Sequence, residues 1–235
     1  MSASAVHSPA SFTSLELTGR ATTHVREAPA LGTRLHAEAI GPVLELREAA
    51  RADGIDLVVV SGFRDFVRQS AIWNGKFRGE RPLLDRQGRP LDAAALDEAA
   101  RVEAILLWSA LPGASRHHWG TDFDVIDRAA VPDDYRPQLT VEEFTGSGPF
   151  ARLNDWLAVH LKRFGFFRPY ITDRGGVHPE PWHVSYAPLA TRALEQLSLD
   201  VLHEAVEQGD LLGRDHILAR LPEIHARYVM AIDPA

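Results

Sequence analysis

Apolar positions along the chain fall into two periods. Between residues 34 and 53, Leu35, Ile40, Leu44 and Leu46 follow helical spacing, with Pro42 inside the run. This predicts a helix that kinks or starts late. Leu57-Val58-Val59-Val60 is a continuous apolar run ending near Ser61 and reads as a buried strand, with a helix expected over about 65–77. Residues 78–91 are rich in charge, Pro and Gly, and Asp85-Arg86-Gln87-Gly88-Arg89-Pro90 reads as an exposed turn or hairpin tip. An Ala-rich helix carrying Val102, Ile105, Leu106 and Trp108 is predicted over 92–111, terminated by Pro112-Gly113. Residues 121–126 have the period of a short strand, which puts Asp122, Asp124 and Ile126 on one face and Phe123 and Val125 on the other. A long loop over 128–148 precedes Phe150, Leu153, Leu157, Leu161 and Phe164, an amphipathic helix closed by Gly165. Residues 166–170 and 182–186 read as further strands. Beyond residue 188, short helices are predicted at 190–197, 201–208, 215–221 and 223–230.

Strands interleaved with helices, without regular βαβ spacing, predict an α+β fold. The expected organisation is a polar lead over 1–33, a core over 34–188, and a helical extension over 189–235 packed on that core.

Composition narrows the chemistry. The chain has 235 residues, 45% of them hydrophobic, which suits one sizeable domain with a small extension. A net charge of -7, with Arg residues scattered among acids, argues against nucleic acid as a partner. There is no cysteine, so any metal chemistry must use His and carboxylate ligands. No apolar run approaches the ~18 residues of a membrane span. The first ten residues lack a basic region followed by an apolar one, so a cytoplasmic location is expected, with export by another route left open. Oligomeric state is not legible.

Two stretches concentrate reactive side chains: Ser115-Arg116-His117-His118-Trp119-Gly120-Thr121-Asp122-Phe123-Asp124 and Glu180-Pro181-Trp182-His183. Together they offer imidazoles, a metal-binding carboxylate and a carboxylate base, the components of a mononuclear zinc hydrolase. His117 and Asp124 are seven residues apart with Gly120 between them, a residue that tolerates the turn from loop to strand. If the strands at 121–126 and 182–186 are neighbours, Asp124 and His183 can reach one ion.

The pattern S-x-H-x-x-G-x-x-x-D followed by E-x-W-H resembles the D-alanyl-D-alanine carboxypeptidase family of zinc peptidases. This VanY-like group shares a core with VanX-type D,D-dipeptidases and the LAS enzymes. Ser61-Gly62-Phe63-Arg64-Asp65-Phe66-Val67-Arg68-Gln69 is similar to the family's S-G-Y-R-S-x-x-x-Q segment, and the three motifs occur in family order over roughly residues 55–190. The resemblance implies a small, mostly antiparallel sheet flanked by helices, with one Zn2+ ion in a cleft on the sheet. It implies that His117, Asp124 and His183 bind zinc, that Glu180 is the general base, and that Arg64 polarises the substrate carbonyl. Ser115 would bind substrate or orient a ligand, Trp182 would pack behind the site, and Gln69, on the helix after Arg64, would have a supporting role. The implied activity is hydrolysis of a peptidoglycan-type peptide, with release of a C-terminal D-alanine by zinc-activated water.

One departure stands out. Asp122 occupies a position where the family usually has Ala or Ser, on the same strand face as Asp124. Two adjacent carboxylates repel unless a cation separates them. Asp122 is therefore expected to support the site, turned toward Arg64 or a ligating histidine, rather than to bind metal. His118 neighbours His117; spacing favours His117 as the ligand, leaving His118 to hydrogen-bond a carboxylate or face solvent. His178 either lines the cleft or faces solvent. His7, His24, His36, His160, His203, His216 and His225 read as surface or satisfied core residues. Three rival readings stay open: an endopeptidase of the same fold, a non-catalytic zinc-containing peptide-binding module, and a non-haem iron oxygenase. Glu180 and Arg64 argue against the binding module, which needs neither. The helix-rich pattern does not fit the many-stranded barrel of the oxygenases, although His178-Pro179-Glu180 matches their H-x-E spacing formally.

Overall fold

A computed structural model describes residues 11–235. The chain opens with a single helical turn, α1 (Ser14–Leu17), whose Thr13 and Glu16 form a reciprocal capping box. Two short antiparallel strands follow, β1 (Val25–Ala28) and β2 (Thr33–His36). Part of the stretch expected as a polar lead is thus built into the fold, because Leu17, Val25 and Leu31 are buried among its polar neighbours. His7 lies outside the described residues.

The helix expected from residue 34 begins later, as α2 (Ala37–Ala52), because residues 33–36 are held in β2; Pro42 sits inside it without ending it. β3 (Leu57–Ser61) leads to α3 (Phe66–Phe77), capped by Asp65, whose side chain accepts from Arg68 N at 2.7 Å. The expected hairpin is present as β4 (Leu83–Leu84) paired with β5 (Pro90–Leu91). The helix predicted over 92–111 is shorter, α4 (Glu98–Leu106), because Leu96 is extended and Asp97 starts a new helix as its N-cap.

The central sheet contains β3, β6 (Asp122–Asp127), β7 (Phe166–Phe167) and β8 (His183–Tyr186) in the order β3-β6-β8-β7, every pair antiparallel. Between β6 and β7 runs α5 (Ala151–His160), extended by a tighter turn to Phe164 and closed by Gly165 in the left-handed region. The C-terminal helices are α6 (Ala187–Gln196), α7 (Leu199–Glu207), α8 (Arg214–Ala219) and α9 (Leu221–Ile224), the last running into a wider turn over 225–230. Among the described residues, no helix is long and apolar enough to cross a membrane. The architecture is α+β, as the sequence pattern predicts.

Two hydrophobic clusters flank the site. One joins α3, α4 and the C-terminal helices around Trp73, Trp119, Val102, Leu202 and Ile217. The C-terminal helices are fastened there by polar contacts as well: Trp73 Nε1 donates to Leu212 O at 3.0 Å, and Arg227 Nη1 to Glu103 Oε1 at 2.8 Å. The second cluster joins α2, α5 and one face of the sheet through Phe123, Val125, Val184, Phe144 and Trp182. The opposite face of β6 carries Asp122, which is fully buried, and Asp124, which lines the cleft.

Gly120 makes the turn into β6 at φ +66°, and its carbonyl accepts from His36 N at 2.7 Å. A Cβ there would lie 2.7 Å from His36 N and from Val25 Cγ1. Gly120→Ala is therefore expected to cost about 2 kcal/mol or more, combining left-handed strain with a clash against β2. Urea unfolding of the two proteins checks this; a variant within 0.5 kcal/mol, about the scatter of surface substitutions, would show that the turn relaxes freely.

Candidate active site

The site is assembled at one rung of the sheet. Asp124 pairs with His183 across β6 and β8, and Ser61 pairs with Asp124 across β3 and β6, beside an irregularity at Val59–Ser61. A tight turn over Arg116–Trp119 delivers His117 from the other side. His117, Asp124 and His183 are all buried, with one potential ligand atom from each within 4.8 Å of the others.

Each imidazole is fixed by the hydrogen bond its other nitrogen makes. His117 Nδ1 lies 2.9 Å from Gly62 O, and a carbonyl only accepts, so Nδ1 carries the proton and Nε2 points its lone pair inward. Burial, reinforced by the Arg64 charge, pushes the His117 pKa down to about 3, which keeps the ring neutral. His183 Nε2 lies 3.1 Å from Asp122 Oδ1, leaving Nδ1 facing Asp124 Oδ1 at 3.2 Å and Glu180 Oε2 at 3.4 Å. Burial opposes a charge on His183, but hydrogen bonds to Asp122 and Asp124 outweigh it and raise its pKa to about 9. A divalent ion at Nδ1 would take the place of that proton, since metal ligation requires neutral imidazole. Burial likewise opposes ionisation of Asp124, but His117, His183 and Arg64 hold its pKa at about 2. Asp124 Oδ1 is buried and faces the His183 Nδ1 group. Once the His183 Nδ1 proton is displaced, the imidazole lone pairs and the buried Asp124 Oδ1 it faced fit a cation held by His117, Asp124 and His183.

The remaining predicted residues surround this triad. Arg64 Nη2 lies 3.0 Å from Asp124 Oδ2 and 3.2 Å from His117 Nε2, while its Nε donates to Ser61 Oγ at 3.0 Å. Gln69 donates to Ala110 O at 2.8 Å and offers Oε1 to Arg64 Nη1 at 3.5 Å. Glu180 stands at the cleft side of His183, and burial, only partly offset by the His183 charge, pushes its pKa up to about 7. Ser115 Oγ is buried with no hydrogen-bond partner and lines the same cleft. Trp182 packs on Phe144, ring centroids 5.5 Å apart, and also faces the cleft, which has a volume of about 700 Å³.

Asp122 is turned toward His183, one of the candidate ligands, not toward Arg64, and its counter-ion is a residue the motif does not single out. Arg116 Nε donates to Asp122 Oδ1 at 2.7 Å, and Arg116 Nη2 donates to Ser185 Oγ at 2.7 Å. Thr121 Oγ1 donates to Asp122 Oδ2 at 2.6 Å. Burial works against the Asp122 charge, but Arg116 and His183 hold its pKa well below the usual carboxylate range. The sequence signal for Arg116 was the anomalous acid itself, since a buried carboxylate in that position requires a cation nearby.

His118 neither meets a carboxylate nor faces solvent. It is fully buried, with Nδ1 2.6 Å from Arg64 O and Nε2 accepting from Gly113 N at 3.1 Å, so it holds the backbone around Arg64. The reason is the tight turn at 116–119, which sends adjacent histidines to opposite sides. His178 lines the cleft, stacked on Trp108 with centroids 4.1 Å apart. Of the other histidines, His24, His36 and His225 are tied to backbone, His160 stacks on Trp156, and His203 and His216 are at the surface. Tyr170, unremarked in the sequence, lines the cleft edge-on to His183 at 5.2 Å.

The profile of the VanY D-alanyl-D-alanine carboxypeptidases matches residues 32–189, a span that contains every one of these site residues. The chain belongs to this family. A D-alanyl-D-alanine carboxypeptidase of Enterococcus faecalis is 31% identical over 163 residues, which is 67% of this chain and 51% of that protein. An uncharacterized Haemophilus influenzae protein is 36% identical over 122 residues, 51% of this chain and 93% of its own length. The solved structure of VanYB in complex with D-Alanine-D-Alanine is 25% identical, with a TM-score of 0.51, covering 81% of this chain and 92% of that one. Family membership makes the chain a peptidase-type hydrolase of peptidoglycan peptides.

The Arg116–Asp122 pair yields a stability test. Arg116→Met leaves Asp122 buried without its cation and is expected to cost about 3–5 kcal/mol. Adding Asp122→Ser, the small residue usual in the family, should recover most of that loss. Denaturant unfolding of the single and double variants decides the matter; equal instability in both would mean that Arg116 acts by packing alone.

Proposed function

We propose that this chain is a zinc-dependent carboxypeptidase that removes a C-terminal D-alanine from peptidoglycan-type peptides. The observation that carries this reading is the convergence of His117, Asp124 and His183 with a carboxylate, Glu180, 3.4 Å from His183 Nδ1 on the cleft side. Zinc held by the triad would supply an activated water nucleophile and polarise the scissile carbonyl. Glu180 takes a proton from the attacking water and delivers it to the departing amine; its half-buried carboxyl suits both halves of that transfer. Arg64 presents its planar fork beside the triad and stabilises negative charge growing on the carbonyl oxygen. Gln69 holds the Arg64 fork, and Asp122 orients His183. The free hydroxyl of Ser115 is available to the peptide. Water attacks directly, so no side chain forms an acyl intermediate. A peptide substrate of this class is supported by the family and by the similarity to a structure that contains D-Alanine-D-Alanine.

Incubation with a wall pentapeptide ending in D-Ala-D-Ala, followed by mass spectrometry, tests the reading. Zinc-loaded protein should release one alanine and chelated protein none. Glu180→Ala should retain zinc while losing about 10²–10⁴-fold in rate, the usual contribution of a positioned acid–base group. Cleavage of a cross-linked dimer without loss of the terminal alanine would replace this reading with an endopeptidase. Cleavage of neither substrate would overturn it.

A further inference from the structure

Four Lys or Arg side chains line the cleft: Arg64, Lys76, Arg86 and Arg116. Three are neutralised by the protein's own carboxylates. Arg64 meets Asp124 at 3.0 Å, Arg86 meets Asp173 at 3.1 Å, and Arg116 meets Asp122 at 2.7 Å. Lys76 makes no salt bridge and no side-chain hydrogen bond among the described residues. It is only partly exposed and sits in the cleft wall beneath the hairpin. A desolvated ammonium without a counter-ion is costly, and an anionic ligand would remove that cost.

Position decides which anion. Lys76 lies seven residues after Gln69, two turns along the same face of α3, and Gln69 touches Arg64. Helical side chains lean toward the N-terminus, which brings the Lys76 ammonium back toward Arg64. A peptide whose scissile carbonyl faces Arg64 carries its next backbone carbonyl carbon about 3.8 Å farther on, one residue's span. In a peptide cleaved at its last bond that group is the terminal carboxylate. In a peptide cleaved internally it is a neutral amide, which would leave Lys76 unpaired.

We infer that Lys76 is a specificity-determining residue that binds the C-terminal carboxylate of the peptide and so restricts cleavage to the last bond. The inference rests on the carboxypeptidase reading above and adds to it the group that recognises the free end. Burial lowers the Lys76 pKa to about 8, partly offset by Glu180, so the side chain is still mostly charged at neutral pH. Lys76 is not a metal ligand, and its role is confined to binding.

The test separates recognition from catalysis. Nα,Nε-diacetyl-Lys-D-Ala-D-Ala, whose sole carboxylate is terminal, and its C-terminal amide are titrated calorimetrically into zinc-loaded Glu180→Gln protein. The titration is repeated with Lys76→Met in the same background, a change that keeps an apolar stem of similar length. The acid should bind about 10- to 100-fold more tightly than the amide, and Lys76→Met should erase that preference while leaving amide affinity unchanged. Equal binding of acid and amide by the Lys76-containing protein overturns the inference. So does an equal loss for both ligands in Lys76→Met, which would assign the lysine a structural role. Hydrolysis by the otherwise unmodified protein is followed in parallel. A Lys76-dependent preference for the acid without hydrolysis would uphold recognition while refuting the peptidase mechanism, so the two failures are distinguishable.

Discussion

The register between β6 and β8 is the constraint on which the rest of the site depends. Pairing of Asp124 with His183 places a carboxylate and an imidazole side by side, and the period of two sends Asp122 to the same face. A slip of one residue would turn both acids into the apolar cluster and expose Phe123 and Val125 to the cleft. That alternative is excluded by packing: Phe123, Val125 and Val184 are fully buried against α2 and α5. The hydrophobic face thus sets the register, and the register sets the site. His117 arrives independently, on a tight turn that Gly120 closes against β2.

Placing several charges under that strand pair is costly unless each has a partner. The arrangement alternates sign across the floor of the cleft: Arg116, Asp122, His183, Asp124, Arg64. Asp122 repels Asp124 less than its proximity in sequence implies, because the His183 ring lies between the two carboxylates and Arg116 neutralises the outer one. A family member with Ala or Ser at that position needs no such cation. The acid and the arginine therefore form a linked pair, and their shared work is to fix which nitrogen of His183 faces the triad.

The candidate site was more legible in the sequence than the elements around it. Residue type and spacing pointed to the stretches holding His117, Asp124, Glu180 and His183, because metal and acid–base chemistry admit few side chains; the resemblance to the VanY-like family supplied the individual roles and Arg64, and the fold brings all five together. The α+β class and the strands around 57–61 and 122–127 followed from β-branched runs and alternation. Other features depended on tertiary contacts that periodicity does not encode. Residues 1–33 read as a polar lead, yet Leu17, Val25 and Leu31 anchor the described part of it. The helix predicted over 92–111 was interrupted because Asp97 caps a fresh start, a local hydrogen bond outweighing a favourable composition. His118 was expected to hydrogen-bond a carboxylate or face solvent, but adjacent residues on a tight turn diverge, and it became a backbone clamp. Lys76 and Tyr170 carried no motif; only the folded cleft relates them to the triad.

The cleft divides the labour between rigid and variable parts. Two of the three candidate ligands sit on buried strands, and the third is on a turn held by Gly62 O and β2, so the core fixes their arrangement. The walls are different in kind. One comes from the hairpin of two-residue strands β4 and β5, fastened through Arg86 to residues 173–175, the other from the segment 138–142 ahead of Phe144. Neither wall contributes one of the three candidate ligands, so either can change without disturbing them. Surface segments of this sort tolerate variation, whereas the strands beneath them do not. Reaction type therefore belongs to the sheet and choice of substrate to its borders. Lys76 falls between the two: it stands on α3, the helix that follows Arg64, yet it faces the peptide. A specificity group placed on that helix moves with Arg64, the residue proposed to polarise the carbonyl, rather than with the loops, which would keep the distance from carbonyl to terminal carboxylate constant while the walls adapt.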